Sequence, residues 1–213
     1  MERPDVIGIT SGMTYWYPGL FKTIQAVKSL FKGVPVILGG IYATLCHDHA
    51  IRFFGADFVI RGSGEFEILN IIHNLSSLDM ALTSRFRTLN SELRTVYPPY
   101  PCFDLYPQLD FICISTSKGC PFQCTYCASQ FLDKGFFRRD SPEVVEEIEY
   151  WATRYGVKNI AFYDDALLIE PHTHIVPILK GVTSRDIRCD FHAPNGLHIR
   201  EIDEEVADLL FCS

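Results

Sequence analysis

The sequence has no apolar run approaching the roughly 18 residues that a membrane-spanning helix needs, which argues against a helical membrane protein. It has no basic excess either. Nineteen Lys and Arg face 26 Asp and Glu, for a formal net charge of -7, and the pI near 5.5 argues against a nucleic-acid footprint. The start, Met1-Glu2-Arg3-Pro4-Asp5, lacks the charged stretch and apolar core of a secretory leader, so the expectation is a cytoplasmic chain. Also missing is a second C-x2-C pair, and with it the closed four-sulfur zinc site that two such pairs build. In that compartment eight cysteines read as metal ligands plus buried thiols rather than a disulfide framework. Cys46, Cys102, Cys113, Cys189 and Cys212 are scattered without ligand spacing and read as small hydrophobes.

What is present is enough to build a core. The 213 residues are 47% apolar, room for one large domain or two small ones. Residues 5–10 form a short apolar run ending at Ser11-Gly12 and predict a buried strand. A helical pattern follows Pro18, with Leu20, Phe21, Ile24, Val27 and Phe31 on one face and Gly33 at its close. Residues 34–38 predict a strand stopping at Gly39-Gly40, residues 44–54 a helix, and residues 57–60 a third strand. The turn at 61–65 leads to a helix bearing Phe66, Ile68, Leu69, Ile71 and Ile72. Strict alternation of strand and helix points to a parallel sheet covered on both faces. In such sheets ligands lie beyond the carboxyl ends of the strands, where residues 10–14, Gly39-Gly40 and residues 62–64 fall; tight turns account for the same glycines. The stretch His47-Asp48-His49 reads as a solvated helix face.

Residues 76–110 change character, with Arg85, Arg87 and Arg94 followed by four prolines, and predict a domain connector. Residues 111–115 predict the strand that opens a second half. A helix follows with Ser141 as cap, Pro142 in the first turn and Gly156 as stop. The pair Arg138-Arg139 reads as solvated loop charge, with an anion contact as the other reading. Residues 157–163 form a strand ending in Asp164-Asp165, adjacent acids where barrel enzymes place functional groups; a helix cap is the plainer role for one of them. Residues 187–196 form a third strand and its exit turn, and Asp203 caps a last helix.

Between the first of these strands and its helix lies Ser117-Lys118-Gly119-Cys120-Pro121-Phe122-Gln123-Cys124-Thr125-Tyr126-Cys127. Three cysteines spaced C-x3-C-x2-C can grip one metal centre, and a cubane [4Fe-4S] cluster held by only three would leave one iron open to a substrate or cofactor. A chance group of buried thiols, or a zinc site completed by a distant His or Cys, are the competing readings. At these residues the sequence resembles the radical S-adenosylmethionine (SAM) superfamily, whose signature is C-x3-C-x-aromatic-C, with Tyr126 as the aromatic. The resemblance implies that Cys120, Cys124 and Cys127 hold the cluster and that SAM chelates the open iron through its amino and carboxylate groups. It implies reductive cleavage of SAM to methionine and a 5′-deoxyadenosyl radical in an oxygen-sensitive enzyme, with electrons from a flavodoxin- or ferredoxin-type donor. Asp164 and Asp165 resemble the acidic motif that receives the SAM ammonium. Asn195 is placed near SAM on the same resemblance, and His192 reads as a SAM neighbour or a buried, hydrogen-bonded histidine.

Residues 5–10 with Thr14, and residues 35–40, resemble the later half of the cobalamin-binding domain that precedes many radical SAM barrels. Thr10, Thr14, Gly39 and Gly40 would then border the nucleotide tail of cobalamin. The two earlier strands of such domains, and the Asp-x-His-x-x-Gly motif after the first of them, have no counterpart here. The expected architecture is α/β: a Rossmann-like, flavodoxin-like half-domain over 1–75, a connector over 76–110, and an incomplete (β/α) barrel over 111–213. Three function classes are therefore open: a cobalamin-linked radical SAM enzyme acting on a small molecule, a non-catalytic iron-sulfur or corrinoid-binding module, and a methylthiolating RNA-modification enzyme. The acidic balance counts against the last.

Overall fold

The computed structural model describes residues 3–75, 100–133 and 135–212. These residues divide into two compact units, one made by 3–75 with 131–133 and the other by 100–130 with 135–212. The expected connector falls mostly outside the described residues, while Tyr100, Phe103 and Leu109 pack against the core of the second unit. No helix among the described residues is long and apolar enough to cross a membrane.

In the first unit, strands β1 (Ile7–Ser11), β2 (Val36–Gly40) and β3 (Phe58–Val59) form a parallel sheet in the order β1-β2-β3. Helix α1 (Tyr17–Leu30) follows β1, α2 (Ile41–Leu45) and α3 (His47–Phe53) follow β2, and α4 (Glu65–Leu75) follows β3. The middle strand is apolar without alternation because both its faces are covered. Leu38 packs with Ile24, Tyr42, Ala43, Ala50 and Phe54, whereas Ile37 packs with Ile60 and Ile71. At the edge of β3, the Asp57 carboxylate accepts from the Val36 N–H at 2.8 Å and pairs with Lys28 at 2.9 Å. These bonds hold its pKa below the ordinary value against the opposing effect of burial.

The single helix expected over 44–54 is two helices. Cys46 leaves the helical region at φ -117° and ψ 40°, and the chain turns before His47. Asp48 and His49 are exposed, but His49 is not simply solvated: its ring lies 4.5 Å from that of Phe53 and its Nδ1 meets the Tyr42 hydroxyl.

Along the chain after the connector, β4 (Phe111–Ile114) is followed by β5 (Ser117–Lys118), α5 (Ser129–Leu132), whose last two residues are grouped with the first unit, and β6 (Phe137–Arg138). Then come α6 (Ser141–Tyr155), β7 (Asn159–Phe162), α7 (Ile175–Ser184), β8 (Asp190–His192) and α8 (Glu204–Cys212). Strands β4, β7 and β8 form a parallel sheet in that order, and β5 pairs antiparallel with β6. One continuous core joins Ile112, Ile114, Ile160 and Phe162 of the sheet to Ile148 and Trp151 of α6 and to Ile175, Ile178 and Leu179 of α7. Gly156 ends α6 at φ 68°, a left-handed conformation that glycine adopts without cost.

Three expectations fail here for identifiable reasons. Asp140, not Ser141, is the residue ahead of α6; the Ser141 hydroxyl instead donates to the His174 carbonyl at 3.3 Å. Arg139 is not solvated: it is buried, donates to the Ser115 carbonyl at 3.2 Å and pairs with buried Glu147 of α6. Arg138 bridges to Glu170 at 3.0 Å. Cys102 is exposed rather than tucked into a core, whereas Cys46, Cys113 and Cys189 are partly buried. Burial raises the thiol pKa values of Cys113 and Cys189. The side chain of Cys212 lies outside the described residues.

Candidate functional site

The cysteine segment leaves the sheet at the carboxyl end of β4 and lies between the two strands of the β5-β6 hairpin. Gly119 turns the chain at φ 80°, and Cys120 follows it, partly buried. Cys124 is exposed and Cys127 partly buried, with the Cys127 N–H donating to the Cys124 carbonyl at 3.0 Å. Phe122 holds the first part of the segment in place. Its ring lies 4.7 Å from His198 and 4.5 Å below the Arg200 guanidinium, while its carbonyl accepts from Gln130 at 3.2 Å. Tyr126 is 91% exposed, and its hydroxyl bonds the Cys124 side chain, which raises the phenol pKa.

The two acids after β7 face different ways. Asp164 is 3% exposed, and both its carboxylate oxygens accept from the Thr116 N–H, at 3.1 and 3.0 Å. The Thr116 hydroxyl donates to Oδ1 at 2.8 Å, and the Ser117 hydroxyl donates to the same oxygen. His174, also buried, places Nε2 2.7 Å from the Thr116 hydroxyl. Burial and, secondarily, the Arg138 charge lower its pKa to about 4, so the ring is neutral near pH 7. Asp165 is exposed, and its Oδ2 accepts from the Ser129 hydroxyl at 2.8 Å. The same hydroxyl lies 3.2 Å from the Cys127 sulfur, to which the Ser129 N–H donates at 3.4 Å. These contacts lower the Cys127 thiol pKa, whereas burial raises that of Cys120.

Asn195 is occupied by the strand end itself, donating to the carbonyls of Tyr163 at 3.1 Å and Asp164 at 3.4 Å. His192 is exposed and meets Asn159 at 3.1 Å, so the reading of a buried histidine is corrected. Thr116, Ser117, Ser129 and His174 escaped the sequence reading. Each is a common residue type whose role depends on a partner 36 to 58 positions away, a separation no local pattern carries.

Among the described residues no three His, Cys, Asp or Glu side chains converge closely enough to hold one metal ion. The exposure of Cys124 also contradicts a group of buried thiols. Cys120 nonetheless lies within electrostatic reach of both Cys124 and Cys127. Three soft thiol donors stand on one loop entered through a glycine, the ligand type that iron-sulfur clusters take.

In the first unit the four residues expected to line a ligand are at the carboxyl end of the sheet. Thr10 is exposed and pairs in register with Gly39, and Thr14 opens the turn ahead of α1. A methyl group added at Gly39 would meet nothing within 4 Å, so open space lies beside it. Gly40 has a different reason to be glycine: at φ 97°, an added Cβ would come within 2.4 Å of the Ser11 carbonyl oxygen and 2.8 Å of its nitrogen. Ser11 and Thr44 tie these ends together. The Ser11 hydroxyl donates to Gly39 O at 2.6 Å and accepts from Ala43 N at 3.0 Å; Thr44 bridges Gly40 O at 2.8 Å and Gly62 N at 3.0 Å.

Residues 1–71 match the family described as the B12 binding domain. The chain is 28% identical over 187 residues to an uncharacterized methyltransferase, PH0819, of Pyrococcus horikoshii, covering 78% of this chain and 40% of that protein. It is 24% identical over 216 residues to the anaerobic magnesium-protoporphyrin IX monomethyl ester cyclase of Rubrivivax gelatinosus, covering 87% of this chain and 38% of the cyclase. The fold matches the radical S-adenosylmethionine methyltransferase TsrM from Kitasatospora setae, solved with cobalamin and a [4Fe-4S] cluster. The TM-score is 0.70 at 20% identity, over 98% of this chain and 48% of TsrM. The chain thus spans less than half the length of the relatives it matches.

Fold and comparisons define an α/β protein in which a sheet matching the B12 binding domain precedes parallel βα units carrying a C-x3-C-x2-C loop. Its first 71 residues match the B12 binding domain, and its fold as a whole is similar to that of a radical SAM methyltransferase.

Proposed function

We propose that the chain forms the B12-binding domain and the opening part of the catalytic barrel of a cytoplasmic radical SAM enzyme. Residues 1–75 serve the corrinoid, 76–110 connect, and 111–213 carry the cluster loop. Cys120, Cys124 and Cys127 bind a [4Fe-4S] cluster, which when reduced supplies the electron that cleaves SAM to methionine and a 5′-deoxyadenosyl radical. Gly119 and Phe122 hold the loop in the shape the three thiolates require. Asp165 offers an exposed carboxylate beside Cys127 to the SAM ammonium, and Tyr126 stands over the same loop. Asn195 holds the end of β7 through two backbone carbonyls and so fixes the position of Asp165 from behind.

In the first unit, Thr10, Thr14 and Gly39 border the cobalamin nucleotide, and Gly40 keeps the ends of β1 and β2 close enough for that border to be continuous. The relatives are named for methyl transfer and for ring closure, and we assign this chain to the same group of reactions on a small molecule, with a flavodoxin- or ferredoxin-type protein as electron donor.

The observation that carries this reading is the geometry of the loop: three thiols on one glycine-opened segment at the carboxyl end of β4, with an exposed acid beside the last of them. Anaerobic reconstitution with iron and sulfide, followed by electron paramagnetic resonance with and without SAM, tests it. The expected result is a reduced-cluster signal that changes on SAM addition and is lost when any of the three cysteines becomes Ala. A protein that takes up zinc alone, or a cluster whose signal ignores SAM, removes the reading.

A further inference from the structure

We propose that the adjacent acids Asp164 and Asp165 have separate duties: Asp164 is a positioning residue that staples the start of the cysteine loop to β7, and Asp165 alone is left to receive a ligand. The inference rests on the functional reading above and goes beyond the pairing of the two acids as one SAM-binding motif. Asp164 lies buried, with its oxygens turned to the Thr116 N–H, the Thr116 hydroxyl and the Ser117 hydroxyl. Three donors on a carboxylate with about four lone-pair sites, only 3% exposed, leave little capacity for a further cation.

The hydrogens in this network can be assigned. Thr116 has one hydroxyl proton, and the carboxylate takes it. His174 Nε2, 2.7 Å away, must then be the donor to the Thr116 oxygen. This fixes one tautomer of a buried histidine at the start of α7, so the loop root is held from β7 and α7 together.

At the other end of the loop, Asp165 accepts from Ser129, whose N–H and hydroxyl meet the Cys127 sulfur. Two consecutive residues of one strand end therefore secure both ends of the cysteine segment, Asp164 from a dry site and Asp165 from an exposed one. Only the exposed tie can be exchanged for a ligand without loosening the fold of the unit.

The test compares Asp164→Asn with Asp165→Asn in the full chain. In the apoprotein, cysteine reactivity with a disulfide reagent is expected to rise about tenfold or more in Asp164→Asn, the scale of one lost hydrogen bond to a charged group, and to rise less in Asp165→Asn, whose amide oxygen can still accept from Ser129. After reconstitution, Asp164→Asn is expected to hold less cluster, but the cluster present should still respond to SAM. Asp165→Asn should hold a full cluster whose signal SAM no longer changes. If Asp164→Asn does not fold, Thr116→Val against Thr116→Ser reads the same anchor, with the serine keeping slow thiols and the valine losing them. The opposite pattern, with Asp164→Asn full of cluster, slow in its thiols and blind to SAM, would overturn the proposal. A wild-type cluster that ignores SAM would sink the functional reading instead, while the apoprotein comparison would still decide the anchor.

Discussion

In the first unit the buried polar side chains among the described residues are two hydroxyls, Ser11 and Thr44; in the second they include Arg139, Glu147, Asp164 and His174 beside Thr116 and Ser117. Both sets sit at the carboxyl ends of a parallel sheet, where the layout gathers loops and ligands. The difference lies in how those ends are fastened. Hydroxyls bridging backbone carbonyls and N–H groups fasten the first sheet at low desolvation cost. Charged and titratable groups fasten the second, and buried charge is stable only while every partner stays in place. The first arrangement suits a large ligand that rests against backbone. The second suits a loop whose three sulfurs must not drift.

The sharpest way to break this contrast is Glu147→Ala. It removes the carboxylate that balances the buried Arg139 charge, and about 3–5 kcal/mol of stability should disappear from the second unit in urea denaturation. A loss below about 1 kcal/mol would mean that the second unit does not depend on its buried charge. Gly40→Ala comes next. The left-handed backbone at φ 97° and the contact with Ser11 should cost at least about 1–3 kcal/mol. Gly39→Ala, facing open space, should stay within about 0.5 kcal/mol and weaken only cobalamin binding, measured by corrinoid absorbance titration. Equal losses at the two glycines would erase the distinction between a packing glycine and a rim glycine. Ser11→Ala removes one donor and one acceptor and should cost about 1–2 kcal/mol in thermal unfolding.

The gentlest probe is pH. The His174 pKa is lowered from 6.5 to about 4, so between those values the unfolded chain binds a proton that the folded chain refuses. Stability should therefore fall as pH drops from 6.5 toward 4 and lose this dependence below that window. His174→Gln should flatten the slope; a slope that persists belongs to other groups.

Much of the scaffold was legible because periodicity and punctuation are local. The alternation of strands and helices, Gly156 as the stop of α6, and Asp203 as the cap of α8, accepting from Val206 N at 2.9 Å, all follow from neighbours within a few positions. The likeness to radical SAM proteins too was legible, from three cysteines and an aromatic, and the fold agrees with it. What remained hidden was direction and distance. Two adjacent acids read alike in a sequence, yet at the end of β7 one faces the interior and the other solvent. Arg139 read as loop charge because its partner, Glu147, waits on the next helix, where it resembles any surface glutamate. The break at Cys46 follows no strong helix breaker, so periodicity ran through it.

The β5-β6 hairpin has a consequence for how metal would be captured. Ser117 pairs with Arg138 and Lys118 with Phe137, so the roughly 18 residues between the strands begin and end at one point. Closing a flexible loop of that length costs on the order of 2–3 kcal/mol in chain entropy, and here protein folding has already met that cost. On the proposed function the thiols would meet incoming iron as a chelate rather than as three separate ligands, and opening the hairpin should weaken assembly without altering a single donor atom.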